Sequence, residues 1–168
     1  MDIALLIVRL IVGLAIAAHG AQKLFGWFGG YGLAGTSGFF EQLGWRPGRL
    51  FVLGASLSEL AGGLLTALGL WGALGTALIV MEMVAALLAV HAPKGFWATN
   101  GGYELNLMYI AVAIALAFAG FGEFSLDRVF GLTFLTTPAQ AWIAIGIGAL
   151  LGLLNVMMRR PAQAAATQ

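Results

Sequence analysis

The chain has 168 residues, of which 61% are hydrophobic and 9% charged, with mean hydropathy +0.95 and net charge +1. Soluble domains are typically about 25% charged, so this composition excludes a water-facing shell and makes lipid the solvent of most of the surface. The lack of cysteine excludes disulfides, dithiol chemistry and thiolate-held clusters, and the lack of a basic stripe excludes a nucleic-acid partner.

The first apolar segment covers residues 3–24. Met1-Asp2 is not a basic leader and Arg9 interrupts the apolar run, so a spanning helix is expected here rather than a cleaved signal. Residues 26–49 form a Gly-rich connection with Phe39-Phe40, Trp45 and Arg46-Pro47, expected at the interface as a short amphipathic helix or re-entrant turn. Segments 50–70 and 72–90 follow, separated only by Leu70-Trp71-Gly72, which predicts a tight antiparallel hairpin. Segments 104–121 and 139–158 complete a set of five, each expected to be long enough to cross about 30 Å of hydrocarbon at 1.5 Å per residue. Gly54, Ser58 and Gly62 share one face of the second segment, and Gly148 and Gly152 one face of the fifth, which predicts close helix contacts there.

Counting Lys and Arg near the segment ends sets the orientation. Lys23, Arg46, Arg49, Lys94, Arg159 and Arg160 fall on one side and Arg128 on the other, with Arg9 inside the first segment assigned to neither. The positive-inside rule then puts the N-terminus outside and the C-terminus in the cytoplasm.

Ionisable groups inside such segments cost about 2.5–3.5 kcal/mol each on insertion scales, so each needs a partner or a purpose. His19, Gln22 and Lys23 are spaced i, i+3 and i+4 and share a helix face. Glu59 and Glu82 lie near the middle of the second and third segments. His91 closes the third, and Glu104 with Asn106 opens the fourth. With antiparallel neighbours, these residues converge on the cytoplasmic half, and the two glutamates lie about 14 Å deeper than the segment ends. The expectation is a polar pocket opening inward, floored by two mutually repelling carboxylates suited to handling a proton. Glu59 and Glu82 are the candidate catalytic residues; His19, Gln22, Lys23, His91, Glu104 and Asn106 are the candidate ligand-binding residues. One objection is geometric: nine residues separate Glu82 from His91, which puts them on opposite faces unless the helix breaks before Pro93.

On the outer side Arg9 and Asp127 are expected to form a structural ion pair. Two histidines without a thiolate make no metal motif. Haem held between His19 and His91 is geometrically conceivable, but the nearby Lys and Glu would spoil its apolar slot.

At these residues the chain resembles the DoxX family of small bacterial membrane proteins. The resemblance rests on His19-Gly20-Ala21-Gln22-Lys23-Leu24-Phe25-Gly26, Gly32-Leu33-Ala34-Gly35-Thr36, Glu59-Leu60-Ala61-Gly62-Gly63 and Met83-Val84-Ala85-Ala86. It continues through His91, Gly95-Phe96-Trp97, Asn100-Gly101-Gly102-Tyr103-Glu104 and Ser125-Leu126-Asp127, and so runs from Leu5 to about Arg128. It implies an all-α fold: a four-helix transmembrane bundle over residues 1–128. A loop and an extra transmembrane helix over 129–160 then extend the family pattern, with a disordered tail at 161–168. It also implies an inner-membrane protein of the kind commonly described as a candidate oxidoreductase. One branch resembles the membrane subunit of a thiosulfate:quinone oxidoreductase, and others resemble partners of redox and detoxification enzymes. The leading functional expectation is therefore a redox-complex subunit whose pocket binds a quinone headgroup or small anion. The alternative is a non-catalytic membrane anchor or assembly factor whose polar residues hold helices together.

Overall fold

Helix boundaries follow local chemistry. In the computed structural model, which describes residues 1–135 and 137–160, α1 spans Asp2–Phe25. It carries an acidic residue in its first turn, a lysine in its last, and stops at Gly26 in the left-handed conformation (φ 74°). A 3₁₀ turn, Trp27–Gly29, leads to α2 (Gly32–Gln42). Helix α3 (Gly48–Leu68) ends on left-handed Gly69, and α4 (Leu74–Ala86) follows after a short turn. Helix α5 covers Glu104–Ala119, α6 is the single turn Leu126–Val129, and α7 covers Pro138–Met157. Thr137 and Gln140 start α7 with a reciprocal capping box, Pro138 taking the first helical position. The predicted tail at 161–168 lies outside the described residues.

Among the described residues the chain is an all-helical membrane bundle. Four helices are long and apolar enough to cross: Asp2–Phe25, Gly48–Leu68, Leu74–Lys94 and Pro138–Met157. The remaining expected span, α5, is apolar but has only 16 residues, because Gly120 (φ 74°) ends it early. The core gathers Ile16, Ile79, Val80, Met83, Ala113 and Ile145 from α1, α4, α5 and α7. Large apolar side chains such as Ile3, Leu14, Leu57, Ile147 and Leu150 stay exposed on the outside, as expected where the surrounding solvent is hydrocarbon.

Glycine governs the closest helix contacts. A Cβ on Gly13 would stand 2.5 Å from the Gly63 carbonyl oxygen, and one on Gly20 would stand 2.6 Å from that of Ser56. The α1–α3 seam thus runs along positions seven residues apart on both helices, 13 and 20 against 56 and 63. The face expected to carry α3, Gly54–Ser58–Gly62, does not act as one seam. A Cβ on Gly54 would meet nothing within 4 Å, while one on Gly62 would meet Leu78 and Gly75 of α4. On α7 the expected pair does face a neighbour: Gly148 abuts Ala77 and Gly152 abuts Met81, both of α4.

The connection over residues 26–49 contains a short helix, α2, one of the two forms expected for it, and that helix docks on α3 and α1. Trp45 is 3% exposed, stacks on Phe40 at 5.0 Å and donates its indole N–H to the Asn155 carbonyl at 3.0 Å, tying this connection to α7. Arg159 completes the latch, donating to the Leu43 carbonyl at 2.7 Å and lying over the Trp45 ring.

At the opposite end the expected Arg9–Asp127 ion pair is not made, and this corrects the sequence reading. Both side chains are 2% exposed, yet they serve backbone groups of the α3–α4 hairpin and, for Arg9, of the segment between α5 and α6, instead of each other. Arg9 donates to the Leu68 carbonyl at 3.2 Å and to the Phe124 carbonyl. Asp127 accepts the N–H groups of Trp71 and Gly72, each at 2.7 Å. A cation therefore meets the carbonyl end of α3 and an anion meets the amide end of α4, which is where each is favoured by the helix dipoles and satisfies groups with no helical partner.

Candidate functional site

Lys23 and Glu59 meet because of a glycine. On α1, Gly20 lies between His19 and Lys23, and its missing side chain lets the α3 backbone at Ser56 and Leu60 come within contact. Glu59 then reaches across the seam, and Lys23 Nζ lies 2.5 Å from Glu59 Oε1. The carboxylate is 4% exposed and the lysine 27% exposed. The second carboxylate oxygen, Oε2, is buried without a hydrogen-bond partner.

One turn earlier, His19 and Gln22 form a short relay on the same face. His19 Nδ1 lies 3.1 Å from Gln22 Oε1, and Gln22 Nε2 donates to the Phe28 carbonyl at 3.2 Å. Because the Phe28 carbonyl can only accept, the amide orientation is set, and Gln22 presents its oxygen to the imidazole.

His91 arrives by a different device. Residues Leu87–His91 form a π-helical turn at the end of α4, with i→i+5 bonding in place of i→i+4. This is the break that the spacing of Glu82 and His91 demanded, and it falls just before Pro93. The wider turn rotates His91 so that it and Glu82 border the same space. His91 Nδ1 is held 2.7 Å from the Gly101 carbonyl.

Two neighbouring cavities result. The first, about 280 Å³, is lined by His19, Lys23, Glu59, His91, Asn106 and Tyr109 among others. The second, about 160 Å³, is lined by Glu82, Lys23, His91, Thr36, Trp45 and Asn155 among others. Lys23 and His91 form part of the wall of both. Glu82 is 7% exposed, borders only the second cavity of the two, and has no ion-pair partner within 4.0 Å among the described residues. Asn106 is buried, with its amide nitrogen 3.7 Å from Met83 Sδ.

Two of the residues read from the sequence stand apart from this group. Glu104 does not line either cavity: its Oε2 accepts the Ala98 N–H at 2.9 Å, so it braces the loop that carries Gly101 under His91. Gln22 borders an open groove between α1 and α2 together with Lys23, Tyr31, Thr36 and Phe39, and touches the first cavity only through its bond to His19. Tyr109, Trp45 and Asn155 were missed. Tyr109 had a legible signal, since it follows Asn106 by three residues and shares its face. Trp45 and Asn155 had none, because their meeting depends on how α7 folds back.

The DoxX family profile matches residues 4–92, more than half of the chain. The chain belongs to the DoxX family. A protein of Bacillus subtilis (strain 168) described as "Putative oxidoreductase CatD" is 28% identical over 126 residues, covering 75% of this chain and 86% of that protein. No solved structure matches significantly. The DoxX match begins in α1 and ends just past the π turn, so it contains His19, Lys23, Glu59, Glu82 and His91. Asn106 and Tyr109, on α5, lie beyond it, as does all of α7, which supplies Asn155 to the second cavity.

Proposed function

We propose that this DoxX protein is the membrane subunit of a redox system, and that its first cavity receives a quinone headgroup or a small anion. The observation that carries this reading is the Lys23–Glu59 pair, its carboxylate buried in a helix long and apolar enough to cross a membrane, beside His19 and His91 in one cavity. Charged groups in such a setting are costly, and proton and substrate pathways are where membrane proteins retain them. A volume of about 280 Å³ suits a single ring better than a whole isoprenoid chain. In this scheme Glu59 exchanges a proton with the ligand or with Lys23. Glu82 stands one cavity behind it, across the wall made by Lys23 and His91.

The rest of the proposal concerns placement. Residues 1–128 act as the DoxX unit and 129–160 as an added loop and helix. The protein sits in the inner membrane with its N-terminus outside and its C-terminus cytoplasmic, which opens the cavity inward and toward protein partners of a redox complex. The supporting observation is the Lys/Arg asymmetry, with Lys23, Arg46, Arg49, Lys94, Arg159 and Arg160 all on one side. Reporter fusions before Ile3 and after Arg160 should read external and cytoplasmic respectively; two cytoplasmic ends would overturn the orientation.

The functional test is Glu59→Gln in the full chain purified in mild detergent. Glutamine keeps the shape and hydrogen bonding but has no ionisable proton, and the partly exposed Lys23 can extend its ammonium toward water. Thermal stability should fall by no more than an interhelical hydrogen bond is worth, about 0.6–2 kcal/mol, while quinone recovered in the lipid extract of the purified protein is lost. A variant that is stable and retains wild-type quinone would leave the polar residues as glue between helices, and the reading would fail.

A further inference from the structure

We infer that the open groove between α1 and α2 takes the isoprenoid chain of a quinone whose headgroup lies in the first cavity. This rests on the reading of that cavity as a quinone site and adds where the rest of the ligand goes. The need is one of size. The first cavity holds about 280 Å³ and the second about 160 Å³, room for a ring and not for a chain, while the groove offers about 620 Å³.

Groove and first cavity adjoin at two residues of α1. Lys23 lines both. With its ammonium held 2.5 Å from Glu59, the rest of that side chain is an apolar four-carbon stem, a surface that hydrocarbon can pass. Gln22 lines the groove, and its amide oxygen lies 3.1 Å from Nδ1 of His19, which lines the cavity. A ligand reaching through both spaces therefore stays beside one turn of α1. The second cavity shares Lys23, Thr36 and Phe39 with the groove, but it is the smaller of the two cavities.

The lining suits a neutral hydrocarbon chain. Gly29 and Gly30 line the groove from the turn after α1, and Gly35 and Gly38 from one face of α2, beside the exposed rings of Tyr31 and Phe39. A Cβ at Gly38 would meet no atom within 4 Å, so the space over it belongs to the groove. Trp27 and Phe28, next in the chain, are exposed aromatics of the kind that settle at a membrane interface, where a chain can pass on into lipid. Charge argues against an anionic lipid headgroup as the occupant. Among the described residues Lys23 is the one charged residue of the lining, and Glu59 already matches it, whereas a phosphate recruits cations that are free to pair with it.

The test uses the full chain in one mild detergent and two probes. One is a benzoquinone bearing a short isoprenoid chain, and the other is the same ring with a methyl group in place of the chain. Gly38→Leu puts a side chain into the groove without meeting a protein atom at Cβ, and leucine is the better helix former, so the fold should hold. Overfilling a packed site by one such side chain predicts a Kd for the chain-bearing probe roughly fivefold to a hundredfold above wild type, with the methyl probe within about twofold. Each probe is compared with itself across variants, so its partition into the micelle cancels. Gly54→Leu, the same change at an exposed site outside the groove, should leave both probes as in wild type. Equal weakening of both probes by Gly38→Leu would overturn the inference, because the substitution would then act on the headgroup or the fold. So would weakening of neither, which leaves the cavity a quinone site whose chain departs elsewhere; loss of co-purified phospholipid in that case would assign the groove to lipid. Binding of neither probe by the wild-type protein would remove both readings together.

Discussion

Lys23→Met should be far more damaging to stability than Glu59→Gln, although the two substitutions break the same ion pair. The reason is the unequal burial of the partners. Glu59 is 4% exposed and Lys23 is 27% exposed. Removing the lysine strands a carboxylate on α3 whose other oxygen already lacks a partner, whereas removing the acid strands an amine on a flexible stem at the end of α1. Breaking a buried pair from the side that leaves a sealed charge costs about 3–5 kcal/mol. For a chain of this size that corresponds to a fall in Tm of about 6–20 °C. The double variant Lys23→Met, Glu59→Leu removes both charges and should recover most of the loss, because apolar replacements of a buried pair are often neutral or better. Thermal unfolding of the three proteins in one detergent tests this. If Lys23→Met melts with Glu59→Gln, or if the double variant is no better than Lys23→Met, the pair does not hold the seam as described.

Gly63→Leu is expected to disrupt the bundle most directly. A Cβ at this position would run into the Gly13 carbonyl oxygen and stand 2.5 Å from the Ala17 backbone nitrogen. Both are backbone atoms in the middle of α1, so no rotamer change relieves the clash, and the helices must separate. The cost should reach or exceed about 3 kcal/mol, the upper part of the usual range for overpacking. Separation here also pulls Glu59 from Lys23, since residue 59 sits one turn from residue 63 on the same seam. Gly54→Leu is the matched control: the same substitution in the same helix, at an exposed position where a Cβ meets nothing within 4 Å. It should be neutral within about 0.5 kcal/mol, as surface changes usually are. Monodispersity by size exclusion and the thermal midpoint give the comparison, and equal loss in both variants would mean that the α1–α3 seam is not where the bundle is held.

The helical segments were legible from sequence because the information is local. Apolar run length sets where a chain can span, and Gly26 and Gly69 end α1 and α3 close to where the hydropathy does. The same-face placement of His19, Gln22 and Lys23 is likewise a property of helix geometry alone, as is the need for a break between Glu82 and His91. The hairpin at Leu70-Trp71-Gly72 could be read from the two flanking runs.

What the sequence left open are the choices between distant residues. Arg9 and Asp127 have opposite charge and lie at the same end, which suggests a pair. In the folded chain, unpaired backbone groups of the α3–α4 hairpin outbid that attraction, because a buried amide or carbonyl left unsatisfied costs as much as the pair would gain. Glu104 looked like a pocket residue by position and is instead taken by the Ala98 N–H six residues earlier. The seam through Gly13, Gly20 and Gly63 was hidden among other glycines, since spacing says which residues share a face but not which helix that face meets. The π turn that brings His91 to its cavity is a matter of hydrogen-bond pattern rather than composition. Local periodicity therefore determined the helices and their polar faces, while partner choice, close approach and the two cavities were decided only when backbone groups far apart in the chain competed for the same side chains.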